Sequence, residues 1–200
     1  MSPSSELISK LRSMTGAGIM DCKEALTKSD DDLDKAVQHL REKGMATAVK
    51  KAERTAKQGL VTSYIHAGGK LGVLIEVNCE TDFVARTDDF VTLTKELAMQ
   101  VAAANPLYLK KEDVPVELID KEKEIYKVQL KEEGKPEKVW DKIIEGKLEK
   151  FYTQVCLIEQ PYIRDSSGKE KVKDLLTNAI AKIGENIVVR RFARFRVGEE

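Results

Sequence analysis

The hydrophobic pattern changes its period at Gly59, and this change constrains the fold more than any other feature of the chain. Before Gly59, apolar residues recur at the spacing of one helix face. After it, residues 60–66 and 71–78 have the composition of strands and flank the sequence AGGK. Two such segments around a short loop that contains glycine predict a β-hairpin. The chain is therefore predicted to continue from a helical N-terminal part into a part that contains a sheet.

Three short helical patterns occupy the first 45 residues. They are separated by TGAG (15–18) and KSDDD (28–32), and Gly44 suits the C-terminal cap of the third helix. Residues 45–58 are rich in alanine and charge and have a thin apolar face, which predicts a linker helix. We predict a three-helix domain with its linker helix over residues 1–55. The apolar positions of the three patterns are Leu7, Ile8, Leu11 and Met14, then Ile19, Cys22, Ala25 and Leu26, then Leu33, Ala36, Val37 and Leu40.

The remaining residues, 56–200, are predicted to form an α+β core domain. Its sheet is expected to be small and antiparallel, built from the hairpin and a final strand at 186–197, with flanking helices. Apolar residues such as Val73 and Leu74 fall on both faces of the hairpin, whereas one set of helices covers only one face. A homodimer formed by sheet-to-sheet contact is therefore predicted. The helices expected in this domain are 88–104, 115–132, 136–158 and one that ends at Gly184.

The chain carries 34 basic and 34 acidic residues, so its formal net charge is zero. No global field therefore attracts a polyanion or an anionic membrane. The final strand nevertheless interleaves arginines with Phe192, a pattern that can bind RNA, and RNA binding stays open as the alternative function. The competing interpretation is a solvated strand face whose arginines pair with acids, which zero net charge favours. The arginines are Arg190, Arg191, Arg194 and Arg196.

The sequence predicts no catalytic, metal-binding or cofactor-binding group. If His66 pairs with Leu71, Cys79 lies about eight residues along the sheet, roughly 25 Å from His66 at about 3.3 Å per residue. A thiol enzyme is therefore disfavoured. AGGKLG is not a phosphate-binding loop, because Leu71 stands where that motif needs serine or threonine. TGAG at a helix start is more typical of a helix break than of an anion site.

The three cysteines, Cys22, Cys79 and Cys156, are odd in number and widely spaced. This usage indicates free thiols in a reducing compartment. The apolar runs are too short to span a bilayer, and the N-terminus has neither an apolar nor an arginine-rich leader pattern. We therefore expect a cytoplasmic protein without a membrane partner, and binding is the function class that remains.

The turn NCETDFVART, residues 78–87, places Phe83 between an acid and a valine. Connecting turns are normally polar, so a large apolar side chain there is either packed into the core or presented to a partner. In the first interpretation, Phe83 packs on its own hairpin and Thr81 or Asp82 caps the next helix. In the second, Phe83 is exposed in the free protein.

The same turn closely resembles that of the elongation factor Ts family, which recycles the GTPase elongation factor Tu in translation. The resemblance extends, in family order, to LRSMTGAGIMDCKEAL (11–26), GVLIEVNCETDFVAR (72–86), LIEQPYI (157–163) and AIAKIGENIVVRRFARF (179–195). Longer members have a second half of the core and a coiled-coil insertion, and neither is recognisable here. The resemblance implies a ubiquitin-associated-type N-terminal domain, no catalytic chemistry and no cofactor.

The resemblance further implies a guanine-nucleotide exchange factor that binds elongation factor Tu·GDP and makes no direct contact with nucleic acid. The segment Thr81, Asp82, Phe83 and Val84 is expected to insert beside the partner's nucleotide, where Phe83 acts as a wedge and helps to dislodge magnesium. Short members are expected to replace the missing half of the core with a second chain.

The resemblance also points to Arg12, Ile19 and Met20, which lie near the TGAG break, as partner contacts of the N-terminal domain. For Ile19 and Met20, packing in the core of that domain is an open alternative. Both interpretations place these residues at the start of the second predicted helix.

Overall fold

The computed structural model describes residues 3–199 and confirms an α+β fold. Within these residues there are eight α-helices and a single three-stranded sheet. The helices are α1 Ser5–Thr15, α2 Ile19–Lys28, α3 Leu33–Lys51, α4 Asp82–Ala85, α5 Asp88–Ala104, α6 Val116–Glu132, α7 Trp140–Val155 and α8 Val172–Ile183. The strands are β1 Gln58–Ile65, β2 Leu71–Cys79 and β3 Val188–Arg196.

The chain divides into two compact units. The first unit contains the residues up to Thr62 together with 76–95 and 174–190. The second unit contains residues 63–75, 96–173 and the residues from Arg191 onward.

In the first unit, α1, α2 and α3 pack around a small apolar core, as the three sequence patterns predicted. Ser4 caps α1 by accepting the N–H of Leu7, and Asp32 caps α3 by accepting the N–H of Lys35. Gly16 ends α1 in the left-handed conformation, where its N–H donates to the carbonyl of Arg12. The fully buried members of this core are Leu11, Cys22, Ala25, Leu26 and Ala36.

The predicted helix cap at Gly44 is wrong, because α3 continues through this residue to Lys51. Residues 45–51 extend α3 and do not form a separate linker helix. Gly44 is buried against α8, and a Cβ placed on it would lie 3.5 Å from the Cβ of Ala181. The small size of Gly44 therefore allows α3 and α8 to approach each other closely. Gly44 does not end α3.

The sheet has the order β1-β2-β3, with β2 in the centre. The N–H of His66 donates to the carbonyl of Leu71 at 2.9 Å, which is the register predicted for the hairpin. The N–H of Val197, just after β3, donates to the carbonyl of Lys70, just before β2. The end of β3 therefore lies beside the start of β2, and the two strands run antiparallel.

The two faces of β2 differ in burial. Val73, Ile75 and Val77 are buried, whereas Leu74 is exposed. This alternation is the period of a strand with one covered face. Phe90, Leu97 and Val101 are fully buried on α5, the helix that the sequence predicted over residues 88–104.

In the second unit, two buried glutamines hold the loop that follows α7. The Gln100 side chain donates to the carbonyl of Pro161 at 3.2 Å and accepts the N–H of Ile163 at 2.9 Å. The Gln160 side chain donates to the carbonyls of Ala104 and Gln154. Both amides are thus satisfied, as buried polar groups need to be. Throughout residues 3–199, we find no helix that combines the length and the apolar composition needed to cross a membrane.

We expect Gly59→Ala to lower the free energy of unfolding by about 2 to 4 kcal/mol. Gly59 has φ of +141°, and a Cβ there would lie 2.1 Å from the carbonyl oxygen of Val77. Urea unfolding followed by circular dichroism measures the loss. The control is Gly146→Ala on the exposed side of α7, where a Cβ meets nothing within 4 Å; better helix propensity should raise stability by up to about 1 kcal/mol. Wild-type stability of Gly59→Ala would contradict the observed backbone of β1.

Candidate functional site

The candidate site is the Phe83 turn, defined here as residues 80–85. The Phe83 side chain is 82% exposed, whereas Val84 and Ala85 beside it are buried. The exposure of Phe83 agrees with the second interpretation of the sequence and rules out its packing on the hairpin. Of the large hydrophobic residues in the described part of the chain, Phe83 has the highest exposed fraction, and aromatic side chains are enriched in protein interfaces.

The backbone of the turn is ordered by Thr81, which caps the single-turn helix α4. Thr81 has an extended backbone, and its hydroxyl accepts the N–H of Val84 at 3.3 Å. The predicted cap is therefore present together with the exposed ring. Asp82, the first residue of α4, forms an ion pair with Arg86, which directly follows the helix. The short helix presents Phe83 in its first turn.

A carboxylate from a distant part of the sequence binds the start of this turn. Oε2 of Glu185 accepts the N–H groups of Glu80 and Thr81, each at 3.0 Å. Oε1 of Glu185 accepts the hydroxyl of Thr81 at 2.6 Å. Sequence reasoning did not identify Glu185. The only signal was its place in the segment GENIVV, directly after the glycine that ends α8.

The residues around Glu185 complete a compact polar cluster. The N–H of Asn186 donates to the Glu80 carboxylate at 2.6 Å. The Asn186 side chain donates to the carbonyls of Ala52 and Arg54, which follow α3. The ammonium of Lys51 donates to the carbonyl of Gly184. The connector between α8 and β3 is therefore bonded both to the Phe83 turn and to the end of α3.

The N-terminal residues singled out from the sequence lie on the surface of the first unit. Ile19 is 55% and Met20 is 74% exposed, and Arg12 on α1 is also exposed. Packing of Ile19 and Met20 in the three-helix core, the open alternative, is thus wrong. Met14, an apolar position of the first helical pattern, is exposed as well. Ile19 and Met20 are the first two residues of α2, directly after the glycine break.

Two arginines of β3, Arg194 and Arg196, contact acidic or backbone groups. Arg194 donates to the Glu199 carboxylate at 2.7 Å and to the carbonyl of Ala102, and Arg196 reaches the same carboxylate at 3.4 Å. Arg194 is largely buried, with 10% of its side chain exposed. For Arg194 and Arg196, these contacts match the interpretation in which the arginines of the strand pair with acids. The two guanidinium groups are thereby engaged within the protein, whereas RNA binding uses such groups for phosphates or bases.

The three cysteines are fully buried. Burial, with a smaller effect of the Glu185 charge, raises the pKa of the Cys79 thiol to about 11. Burial, followed by the charge of Glu159, raises the pKa of Cys156 to about 11 as well. A catalytic thiol needs a lowered pKa and access to solvent, and these residues have neither. Among residues 3–199, no group of three or more histidine, cysteine or carboxylate side chains is arranged to hold a metal ion.

Comparison with known proteins gives a consistent result over nearly the whole chain. The family model described as Elongation factor TS matches residues 9–170. The elongation factor Ts of Caldanaerobacter subterraneus subsp. tengcongensis is 60% identical over 196 residues, which are 98% of this chain and 97% of the relative. That of Thermotoga neapolitana is 60% identical over 200 residues, which are 100% of both chains. That of Heliobacterium modesticaldum is 56% identical over 193 residues, which are 96% of this chain and 89% of the relative.

Proposed function

The chain belongs to the elongation factor Ts family, and from this premise we propose that it is a guanine-nucleotide exchange factor for elongation factor Tu. The observation that carries the proposal is the exposed ring of Phe83. It lies on a turn in which the N–H of Thr81 donates to Glu185 and the N–H of Val84 donates to the Thr81 hydroxyl. The protein acts in the cytoplasm, makes and breaks no covalent bond and needs no cofactor of its own. Its partner is a protein and not a nucleic acid or a membrane.

In this proposal, the segment Thr81, Asp82, Phe83 and Val84 inserts beside the nucleotide of elongation factor Tu·GDP. Mg²⁺ requires near-ideal octahedral geometry with short oxygen distances, so a small shift of the surrounding loops weakens its binding. The Phe83 ring suits the role of a wedge because it gains about 1.5 to 3 kcal/mol from burial in the partner. It offers the ion no ligand in exchange.

The capped turn lowers the loss of entropy on binding. Thr81 and the buried side chains of Val84 and Ala85 hold the backbone under Phe83 before the partner arrives. Ordering a mobile segment at an interface consumes part of the binding free energy, and a preformed turn avoids that loss. Factor and GDP weaken each other's binding by the same factor, because coupling between two ligands is reciprocal. GTP can then bind, and the factor is released.

We further propose that residues 1–55 dock on the partner while residues 56–200 carry exchange and dimerisation. Ile19 and Met20 form an exposed apolar pair at the start of α2, with Arg12 exposed on α1. Apolar side chains flanked by an arginine are the usual composition of the energetically important part of an interface.

The homodimer is proposed from the exposed face of the sheet in the second unit. Ile65, Leu74, Phe195 and Val197 are all exposed there and line one shallow depression. A face-to-face contact between two copies covers such a face, because sheets pack with their apolar faces together. A net charge of zero leaves no long-range repulsion between the two copies.

We expect Phe83→Ala to fold normally and to stimulate GDP release roughly tenfold to a hundredfold less than the wild type. The change forfeits about 1.5 to 3 kcal/mol of burial in the exchange transition state. Stopped-flow release of a fluorescent GDP analogue measures the rate. The melting temperature should stay unchanged, because an exposed ring contributes little to the core.

The matched control is Val116→Ala, at another exposed apolar position, on α6. It should leave both the exchange rate and the melting temperature unchanged. A Phe83→Ala variant that melts several degrees lower but keeps full exchange activity would show that the ring is structural and that the wedge proposal is wrong.

We expect Met20→Ala to raise the Kd for elongation factor Tu about fivefold or more, the loss of about 1 kcal/mol typical of an interface contact. Isothermal titration calorimetry with the GDP-free partner measures the change. Met45→Ala, at an exposed methionine on α3, is the control and should bind like the wild type. Equal affinities of all three proteins would exclude Met20 from the docking surface.

We expect light scattering at micromolar concentration to give twice the chain mass of 22.4 kDa. Phe195→Glu should shift the mass to that of the monomer, because it places a charge in the proposed sheet-to-sheet contact. Val128→Glu, at an exposed position on α6, should leave the dimer intact. A wild-type mass of one chain would refute the homodimer.

A further inference from the structure

We propose that Glu185 is a positioning residue for nucleotide exchange, which holds the Phe83 turn in the conformation that presents the ring. The inference rests on the proposed function for its link to exchange. Its structural part, that one carboxylate fixes the start of the turn, rests on contacts within the first unit alone.

Glu185 is directed to the turn by the residue before it. Gly184 follows α8 with φ of +86°, a left-handed conformation that glycine adopts without strain, and its N–H donates to the carbonyl of Ile180. The chain changes direction at this point. Glu185 therefore comes directly after the end of α8 and one residue before Asn186, whose own N–H is bound by the Glu80 carboxylate.

Glu185 binds the three hydrogen-bond donors at the start of the turn, which are the N–H groups of Glu80 and Thr81 and the Thr81 hydroxyl. Its two oxygens accept three hydrogen bonds, from two backbone N–H groups and one hydroxyl. Hydrogen bonds to a carboxylate are shorter and stronger than those between neutral groups. Because the Thr81 hydroxyl donates to Glu185, its oxygen is oriented to accept the N–H of Val84. Glu185 therefore supports the cap of α4 as well as the backbone before it.

We call the Glu185 carboxylate, bonded to Glu80 and Thr81, the anchor of the turn. The orientation of Phe83 depends on this anchor because the ring makes few packing contacts of its own. With 82% of the side chain exposed, the position of the ring is set by the backbone of α4. That backbone is held on one side by the buried Val84 and Ala85 and on the other by Thr81. Removing the Glu185 carboxylate would release the Thr81 side and let the ring sample orientations that do not fit the partner. Small misplacements of a reacting geometry are known to slow catalysis strongly.

The anchor is itself fixed on its other side. The Asn186 side chain bonds to the carbonyls of Ala52 and Arg54, and Lys51 bonds to the carbonyl of Gly184. The connector that carries Glu185 is thus tied to the segment that ends the N-terminal helices. Glu80 and Glu185 form a reciprocal pair, since each carboxylate accepts a backbone N–H from the other's segment. The position of Glu185 is therefore determined by contacts that do not involve Phe83.

The functional test is a double-mutant cycle on the full chain, followed by release of a fluorescent GDP analogue from elongation factor Tu. Glu185→Ala should reduce stimulated release about tenfold, and Glu185→Gln, which keeps an amide acceptor, should recover part of this loss. If Glu185 acts through the ring, Glu185→Ala combined with Phe83→Ala should be no slower than Phe83→Ala alone. Glu149→Ala on α7, which removes the ion pair of Glu149 with Lys111, is the control and should exchange like the wild type.

The structural test is amide hydrogen exchange of the free protein by NMR, which does not depend on any partner. The N–H groups of Glu80 and Thr81 should be protected in the wild type, retain part of the protection in Glu185→Gln and lose it in Glu185→Ala. Circular dichroism verifies that each variant is folded. Loss of protection limited to residues 80–84 supports an anchor, whereas loss throughout β2 and α5 shows a general structural role and overturns the proposal.

The two tests distinguish failure of the positioning role of Glu185 from failure of the exchange function. Additive effects in the cycle, or wild-type exchange by Glu185→Ala, would overturn the positioning role while leaving the exchange function in place. A wild-type protein that does not accelerate GDP release would overturn the exchange function, and the link of Glu185 to it. Amide protection would still decide whether Glu185 anchors the turn.

Discussion

The backbone N–H groups of Glu80 and Thr81 lie just beyond the end of β2, where the chain leaves the sheet, and they need an acceptor. The carboxylate of Glu185 supplies it, and the arrangement of the Phe83 turn depends on that bond. A large apolar ring that is surrounded by water makes few packing contacts that could fix its orientation. Its direction has to come from hydrogen bonds to the backbone beneath it, and here those bonds come from a residue 104 positions along the chain.

The exposed sheet face and the exposed Phe83 ring both leave apolar surface in contact with water. The two surfaces differ in extent. On β2, Leu74 is exposed between the buried Val73 and Ile75, so apolar residues lie on both faces of the strand. The exposed face carries Leu74 together with Ile65, Phe195 and Val197, and such an apolar sheet face suits a matching face of the same kind. Phe83 is a single ring on a short helix, which suits a cavity in a different protein. A sheet face with several exposed apolar residues and a single exposed ring therefore correspond to the two kinds of partner proposed.

Local sequence patterns were enough for the elements and for part of the site. The bounds of α5 and the register of His66 with Leu71 follow from periodicity and from the length of the glycine loop, both of which are properties of neighbouring residues. Gly44 was misassigned because a glycine near the end of an apolar pattern resembles a cap, whereas its role is contact with Ala181 on a distant helix. Glu185 was missed for the same reason. Its partners are close in space but remote in sequence, and no spacing rule relates them.

The burial of all three thiols makes the native chain a convenient background for spectroscopic labelling. At neutral pH a maleimide reacts with accessible thiolate, and Cys79 and Cys156 are both inaccessible and protonated there. A cysteine introduced on an exposed helix face would then be the fast-reacting thiol. A single dye could be attached without removing the native cysteines, whose side chains fill the cores of the protein. Because the native thiols are buried, they do not compete with an introduced surface cysteine for the dye.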